Sequence, residues 1–484
     1  MLHEKTTISP DVQPGLTPPR PDTITDDQEL HERSSQGITD KYAKYVGGTP
    51  DGGLKAWSVI VASMLTTFCS LGYVNSTWGI FQDYYERVLL PDESPSTIAW
   101  IGSVQIAFIF LPGLITGRLF DLGHFKIPYF AASCGLIVCT FLTAECKHYW
   151  QFFLVQGLFT GLFSGIIYAP AVSVVSHWFS KKKGMALGIV SIGSSLGGIL
   201  FPIAGQNLLP LVGFKWTVRT FGLMILIALG IANLTIDRRL PPANVQDGLL
   251  NLTAFRNPAY TIYCISGMAC FLGLYTALTY LPLSATAVGV STNFSFYLVA
   301  IANAASGFGR LSAGLLADQL GPLNAMIPFT SLAGILTFAW PYASSQRELI
   351  AISLIYGFAS GTYVSLFVAP PMAMGDVGDV GRRMGMFMTI AALGTLAGPP
   401  ISGAINAWTG GFKDPGFYAG GSLLCCFSRY RRIRALLVVP VCFRRHVNAQ
   451  CDILLTVAGG IVMFSVLLLF VVRYLHLGQL CGKC

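Results

Sequence analysis

The sequence predicts an all-α membrane protein with twelve transmembrane helices in two pseudosymmetric six-helix bundles. The first observation is a series of about a dozen apolar stretches between Ala56 and Tyr474, each of roughly 20 residues, which is enough for a helix to cross the hydrocarbon layer. The second is composition: 53% of the 484 residues are hydrophobic and 11% are charged. Soluble domains carry about a quarter charged residues. The third is a set of motifs that recur in both halves.

Residues 1–50 precede the first apolar stretch and are polar and rich in Pro, Thr and Asp. They contain no apolar core of a signal peptide, so we expect the first span to insert the chain itself. Lys and Arg concentrate in loops on the side of this tail, which the positive-inside rule places in the cytosol. The tail is therefore predicted to be disordered and cytosolic, and the plasma membrane is the expected location.

Short polar loops separate the spans, and the longest internal loop, residues 237–257, divides them into two sets. The first half, residues 51–236, is predicted to span at 56–80, 97–117, 127–145, 150–177, 185–209 and 216–236. The second half, residues 258–484, is predicted to span at 258–282, 294–314, 324–342, 348–372, 384–408 and once more after 416.

An internal repeat supports this division into six and six. The chain reads GRLFDLG over residues 117–123 after span 2 and GLLADQLG over residues 314–321 after span 8, with an acid four positions after a Gly at a predicted cytosolic turn. A second echo pairs residues 168–186 with residues 369–386, where a Pro precedes a basic cluster and a Gly-Met pair. Such repeats are typical of transporters whose site lies at the midplane between the halves.

These motifs resemble a known family. The Gly-x-x-x-Asp turns resemble the major facilitator superfamily. Within it, the monocarboxylate porters are resembled by three motifs: DGG at 51–53, WFSKKKGMALG at 178–188 and GSSLG at 193–197. Their fungal branch is resembled by RMGM at 383–386 together with GPP at 398–400. The resemblance implies a monomeric secondary transporter that moves a small organic solute, a monocarboxylate or related anion, by alternating access, with a proton as a candidate co-substrate.

Arg310 is the most informative single residue, because an Arg at membrane depth costs at least about 2.5–3.5 kcal/mol and is functional by default. In the resembled family an Arg here pairs with the substrate carboxylate. The alternative is that Arg310 snorkels to the cytosolic face, since Gly314 begins the predicted turn four residues later. Animal members carry an acid at the position of Ser306 and a Lys near that of Asn75 or Ser76, so a larger, less charged solute is a second alternative.

Other polar residues within spans predict the wall of a central cavity, with interhelical hydrogen bonding as the alternative role. With Arg310 as the anchor, they are Asn75, Gln105, Gln156, Tyr168, Tyr275, Asn303 and Tyr363.

A gate is expected at the cytosolic turns, since a helix start and a neighbouring Arg both stabilise a carboxylate. Asp121 is predicted to latch against the start of span 11 near Arg382 or Arg383, and Asp318 against the start of span 5 near Lys181 to Lys183. The predicted gate residues are Gly117, Arg118, Asp121, Gly314, Asp318, Lys181, Arg382 and Arg383. The alternative is that the carboxylates are solvated loop charges.

The amino-acid composition and the apolar pattern change after residue 424. Half of the twelve cysteines follow this point, six arginines lie within residues 425–457, and an apolar run is interrupted. Removal of residues 425–457 would join two apolar segments into one span that ends near Tyr474. This stretch is either a translated, retained intron within helix 12 or a genuine loop, with span 12 formed by residues 453–474 alone.

Other function classes lack support. The seven His residues show no metal spacing, and no Gly-rich phosphate loop is present, so we expect no enzyme, no cofactor, no metal and no direct use of ATP. The net charge of +8 lies in membrane loops and predicts a lipid bilayer rather than a nucleic acid as partner. Alternatives to uptake of a small anion are export of a larger fungal metabolite, a receptor that does not transport, and an inactive product of a gene-model error.

Overall fold

The computed structural model describes residues 50–240, 248–375 and 379–424, and every regular element in these ranges is helical. Nine helical segments of the described chain are long and apolar enough to cross a membrane. One of them, Lys183–Thr235, is broken at Gly213, where φ is 74°, and supplies two crossings. Thr292–Leu320 adds a further crossing, since 29 residues extend about 43 Å. Residues 413–424 begin the twelfth helix.

The helices are numbered in chain order. They are α1 Leu54–Leu89, α2 Pro95–Asp121, α3 Lys126–Thr143, α4 Tyr149–Trp178, α5 and α6 as the parts of Lys183–Thr235 before and after Gly213, α7 Pro258–Ala287, α8 Thr292–Leu320, α9 Pro322–Tyr342, α10 Gln346–Ala373, α11 Val380–Thr409 and α12 as residues 413–424. A helix lies at each predicted span, so the predicted fold class is confirmed. The tail of residues 1–49 and the anomalous segment 425–457 lie outside the described residues.

Two predicted boundaries differ most from the structure. Helix α1 continues to Leu89 through two π-helical turns, Phe68–Gly72 and Tyr85–Leu89. Helix α8 continues past Gly314 and ends at Leu320, before Gly321 with φ 87°. The prediction that Asp318 lies in a turn was therefore wrong. The GLLADQLG stretch stays helical until a glycine can adopt the left-handed backbone that ends the helix.

We call the basic face the membrane side at which even-numbered helices end and odd-numbered helices begin. It carries Lys126, Lys181, Lys182, Arg238 and Arg382. The other side is the opposite face.

Near the basic face the two halves of the chain meet in two close helix crossings. In the α2–α11 crossing, a Cβ added at Gly117 would lie 2.1 Å from the Gly381 carbonyl oxygen. In the α5–α8 crossing, a Cβ added at Gly184 would lie 2.5 Å from the Gly314 carbonyl oxygen. Only glycine allows backbones to approach this closely, as in small-residue contacts between membrane helices. The Gly residues of the repeat therefore bring the two halves into contact.

The buried apolar residues form two clusters. One cluster runs through the first half of the chain and continues into the basic-face ends of α7 to α11. The other lies in the part of α7 to α10 nearer the opposite face and includes Leu281, Leu298, Trp340 and Tyr356. The halves thus share a core towards the basic face and have separate packing towards the opposite face.

At two helix interruptions, a buried tyrosine hydroxyl satisfies a backbone carbonyl. Helix α7 breaks at Tyr275, where the Tyr356 hydroxyl donates to the Leu274 carbonyl at 2.6 Å. Helix α10 is interrupted after Leu366, where the Tyr263 hydroxyl donates to the Phe367 carbonyl at 2.7 Å. Broken helices are tolerated in membranes when the freed backbone groups find such partners.

Candidate functional site

A cavity lies between the two halves of the chain, with about 500 Å³ of empty space when the part open to solvent is included. Helices α1, α5, α7, α8 and α10 line it with Leu71, Asn75, Ser76, Ser194, Leu274, Tyr275, Leu278, Ala302, Asn303, Ser306, Arg310, Gly357, Ser360 and Val364. Amides, hydroxyls and one guanidinium thus share the wall with aliphatic side chains.

Irregular helix geometry places several of these groups. The π-helical turn Phe68–Gly72 directly precedes Asn75 and Ser76 and shifts their register on α1. The break at Tyr275 does the same for α7. Such π-turns and breaks are frequent at functional sites, because they reorient side chains that a regular helix would turn elsewhere.

Among the described residues that line the cavity, Arg310 is the charged one. It is buried, with only 6% of its surface exposed. Its Nη1 donates to the Ser191 carbonyl and the Ser194 hydroxyl of α5, and its Nε donates to the Ser306 hydroxyl at 3.1 Å. Helix α8 runs towards the basic face, so its side chains lean back towards the midplane. Because α8 continues ten residues beyond Arg310, the guanidinium lies in the interior rather than at the loops.

The structure divides the predicted cavity residues into two groups. Four of them line the cavity: Asn75, Tyr275, Asn303 and Arg310. The others are buried outside its lining: Gln105, Gln156, Tyr168 and Tyr363. Gln156, for example, accepts a hydrogen bond from the Tyr85 hydroxyl within the first half.

Ser194 lines the cavity but is not among the residues predicted from the sequence, although a signal for it was present. Ser194 lies in the GSSLG motif. It follows Gly184, Gly188 and Ser191 at helical spacing, so all four share one face of α5. That face is the one that meets α8.

An aromatic cluster lies between the cavity and the basic face. We call Phe110, Tyr168, Phe271, Tyr363 and Phe367 the aromatic floor. The Phe110 ring of α2 lies 5.3 Å from the Phe271 ring of α7 and 6.0 Å from the Tyr168 ring of α4, centroid to centroid. Phe271 lies 5.8 Å from Tyr363 and 5.4 Å from Phe367 of α10. Rings from both halves of the chain therefore pack against one another below the cavity.

The two repeat carboxylates bind the first amides of a helix from the other half. Asp121 accepts hydrogen bonds from the backbone N–H groups of Gly381 at 2.9 Å and Arg382 at 2.8 Å. Asp318 accepts from those of Gly184 at 2.6 Å and Met185 at 2.9 Å. Helix N-termini favour anions, since their amides point at the ligand and the dipole adds attraction. The predicted contacts are present, and their role as a gate stays a prediction.

The basic residues around these contacts have other partners. The Arg382 Nε donates to the Asp379 carboxylate, and the Arg383 Nη1 lies 3.6 Å from it. The Lys181 backbone N–H donates to the Asp51 carboxylate at 2.9 Å. Arg382 begins a helix, so its side chain leans back towards Asp379 in the preceding turn. Helix amides, rather than the Arg382 side chain, are the donors that hold Asp121.

Comparison with known proteins gives consistent matches. A family model described as Major Facilitator Superfamily matches residues 56–377. The aspyridones efflux protein apdF of Emericella nidulans is 40% identical over 377 residues, which cover 78% of this chain and 77% of that protein. The fujikurins efflux protein of Gibberella fujikuroi is 36% identical over 413 residues, which cover 84% and 88%.

Solved structures show the same architecture. The human organic anion transporter MFSD10 matches with a TM-score of 0.61 at 16% identity, covering 78% of this chain and 100% of that chain. The transporter FucP in its outward conformation matches with a TM-score of 0.57 at 15% identity, covering 78% and 98%. At these identities the likeness supports the fold alone.

Proposed function

The chain belongs to the Major Facilitator Superfamily, and from this we propose that it exports an organic metabolite with an anionic group across the plasma membrane by alternating access. The observation that carries the proposal is the buried guanidinium of Arg310 in the wall of a cavity between the two halves. The protein is a transporter of small molecules and an integral, multi-pass membrane protein. The chemical class of the solute, the direction of transport and the plasma-membrane location are the parts that we propose.

The relatives support export of a larger metabolite over uptake of a monocarboxylate. Two of them are named as efflux proteins, for aspyridones and for fujikurins. The resemblance to monocarboxylate porters remains a prediction from the sequence. Within the cavity, Leu71, Leu274 and Val364 offer apolar area beside the polar groups, which suits a solute with both an anionic group and a hydrocarbon body.

The charge of Arg310 supports an anionic group on the solute. A buried guanidinium without a carboxylate partner is costly, and the cavity residues that bond it, Ser194 and Ser306, are neutral. The planar fork of Arg matches a carboxylate or enolate with two parallel hydrogen bonds. An incoming anion would supply the missing countercharge at the midplane.

The placement of the contacts supports alternating access. We place the basic face and the N-terminus in the cytosol, with bundles of residues 51–236 and 258–484 and the loop 237–257 between them. The Asp121 and Asp318 contacts and the aromatic floor then close the cytosolic side. One copy of the chain encloses the whole cavity, which supports function as a monomer.

The test is counterflow into proteoliposomes with a panel of solutes: aspyridones, fujikurins and lactate as a small monocarboxylate. Arg310→Gln and Arg310→Lys are compared with Arg87→Gln, a control at an exposed arginine paired with Asp83. We expect flux of at least one metabolite of the panel and a loss of at least about tenfold in Arg310→Gln, because the hydrogen bonds to a charged group are removed. Arg310→Lys is expected to be only partly active.

The outcomes separate the alternatives. Flux of lactate alone would favour the monocarboxylate porter, and dependence on an imposed pH gradient would reveal a coupled proton. Binding without flux would favour a receptor. Failure of the intact chain to reach the membrane would favour an inactive product.

A further inference from the structure

The Arg310 guanidinium is bonded across the boundary between the two halves of the chain. Arg310 lies on α8 in the second half, while the Ser191 carbonyl and the Ser194 hydroxyl that accept from its Nη1 lie on α5 in the first half. The third bond, from Nε to Ser306, stays within α8. The residue proposed to bind the solute is thus also a link between α5 and α8.

The repeat shows that this link belongs to the close crossing of the two helices. Arg310 precedes Gly314 by four residues, as Gly113 precedes Gly117 in α2. A Cβ added at Gly188 of α5 would lie 2.8 Å from the Arg310 carbonyl oxygen, and one at Gly385 of α11 would lie 2.1 Å from the Gly113 carbonyl oxygen. The two crossings have the same backbone contact, but an arginine stands in one where a glycine stands in the other.

We propose that Arg310 exchanges partners during the cycle: it binds the anionic solute when the basic face is open, and α5 replaces the solute when the basic face closes. This inference rests on the proposed function. Closure brings the Ser191 carbonyl and the Ser194 hydroxyl onto the guanidinium, where they compete with the anion and promote its release towards the opposite face. By linkage, the bound anion stabilises the form in which α5 and α8 are apart.

The competition has a clear physical basis. A carboxylate is a stronger acceptor for the guanidinium than a hydroxyl or a carbonyl, so the anion wins while α5 is distant. In the closed form the helix crossing holds the Ser191 carbonyl and the Ser194 hydroxyl against the Arg310 guanidinium. The anion can then bind the guanidinium only by displacing these two acceptors. The affinity for the anion is therefore lower in the closed form.

The first measurement needs no solute. Spin labels on non-natural amino acids at positions 182 and 319, both exposed at the basic face, report the separation of α5 and α8 in the empty protein. Ser194→Ala removes one acceptor, and we expect the ratio of separated to closed molecules to rise on the order of tenfold. The matched control is Ser312→Ala, whose hydroxyl donates to the Gly309 carbonyl within α8 at 3.0 Å. An identical separation in the two variants overturns the proposal.

The second measurement tests competition with sodium benzoate as the anion probe and benzamide as its uncharged counterpart. Titration calorimetry should show benzoate binding on the order of tenfold tighter in Ser194→Ala than in Ser312→Ala, with no such change for benzamide. Equal or undetectable benzoate binding in both proteins overturns the exchange of partners. Failure of the proposed function has a different signature, the lack of flux for the whole panel, and it leaves the label separation unaffected.

Discussion

At the scale of single residues, two carboxylates connect the halves of the chain through backbone hydrogen bonds at helix starts. Each of Asp121 and Asp318 accepts two backbone hydrogen bonds from the other half of the chain. Asp121 is buried, with 3% of its surface exposed. A carboxylate at a helix N-terminus is worth up to about 2 kcal/mol in a partly buried geometry, which is enough to bias an equilibrium between two conformations.

We expect Asp121→Ala to increase the fraction of molecules with an open basic face by roughly tenfold, since about 1–2 kcal/mol of carboxylate–amide interaction is lost. Labels on the basic-face ends of α2 and α11 measure this fraction. Asp83→Ala is the control, because Asp83 pairs with Arg87 at an exposed site. Equal open fractions in both variants would leave the contact without a gating role.

Tyr356 illustrates a residue whose polar group serves the backbone. Its hydroxyl donates to the Leu274 carbonyl at the α7 break, in a fully buried position. Tyr356→Phe leaves this carbonyl unsatisfied, at a cost of about 1–3 kcal/mol, so we expect a lower midpoint of thermal unfolding in detergent. Tyr280→Phe should have a smaller effect, since the Tyr280 hydroxyl is only part-buried and its bond to the Pro399 carbonyl is long at 3.3 Å. The reverse order would contradict this account.

At the scale of helices, glycines determine where the two halves approach. The α2–α11 and α5–α8 crossings both depend on paired glycines near the basic face, at Gly117 with Gly381 and at Gly184 with Gly314. Because a side chain at any of them would meet backbone rather than a flexible group, the crossing can accommodate it only by separating the helices.

Gly117→Ala is therefore expected to separate α2 from α11 and to weaken closure of the basic face. Gly230→Ala is the control, since a Cβ there meets no atom of the described residues within 4 Å. In a helix this control exchange should even be slightly stabilising. Thiol cross-linking between residues introduced at the basic-face ends of α2 and α11 measures the effect, and an unchanged rate in Gly117→Ala would show that the crossing tolerates a methyl group.

At the scale of the whole molecule, the halves of the chain share a core towards the basic face and pack separately towards the opposite face. The aromatic floor lies between the cavity and the basic face, with Phe110 as a ring that reaches from the first half to Phe271 in the second. Contact between the halves is therefore concentrated towards the basic face.

We predict that a membrane-impermeant thiol reagent modifies Leu278→Cys in the cavity wall from the opposite face and not from the basic face. Adding Phe110→Ala should increase modification from the basic face several-fold, because it removes a ring from the floor. The chain without Leu278→Cys measures the background of its native cysteines. Equal modification from both faces of the single variant would show that the floor does not seal the cavity.

The sequence by itself determined the class, the helix count and the repeat. An apolar stretch of sufficient length inserts into lipid as a helix whatever its tertiary contacts, and the order of the motifs is visible along the chain. The sequence also identified Arg310, whose charge is conspicuous at membrane depth, and the helix starts that hold Asp121 and Asp318. Only the tertiary structure decided which polar residues share a cavity: Asn75 and Asn303 line it, whereas Gln105 and Gln156 do not. That choice depends on π-turns, helix breaks and glycine crossings, which set the rotation of each helix through contacts with residues distant in sequence.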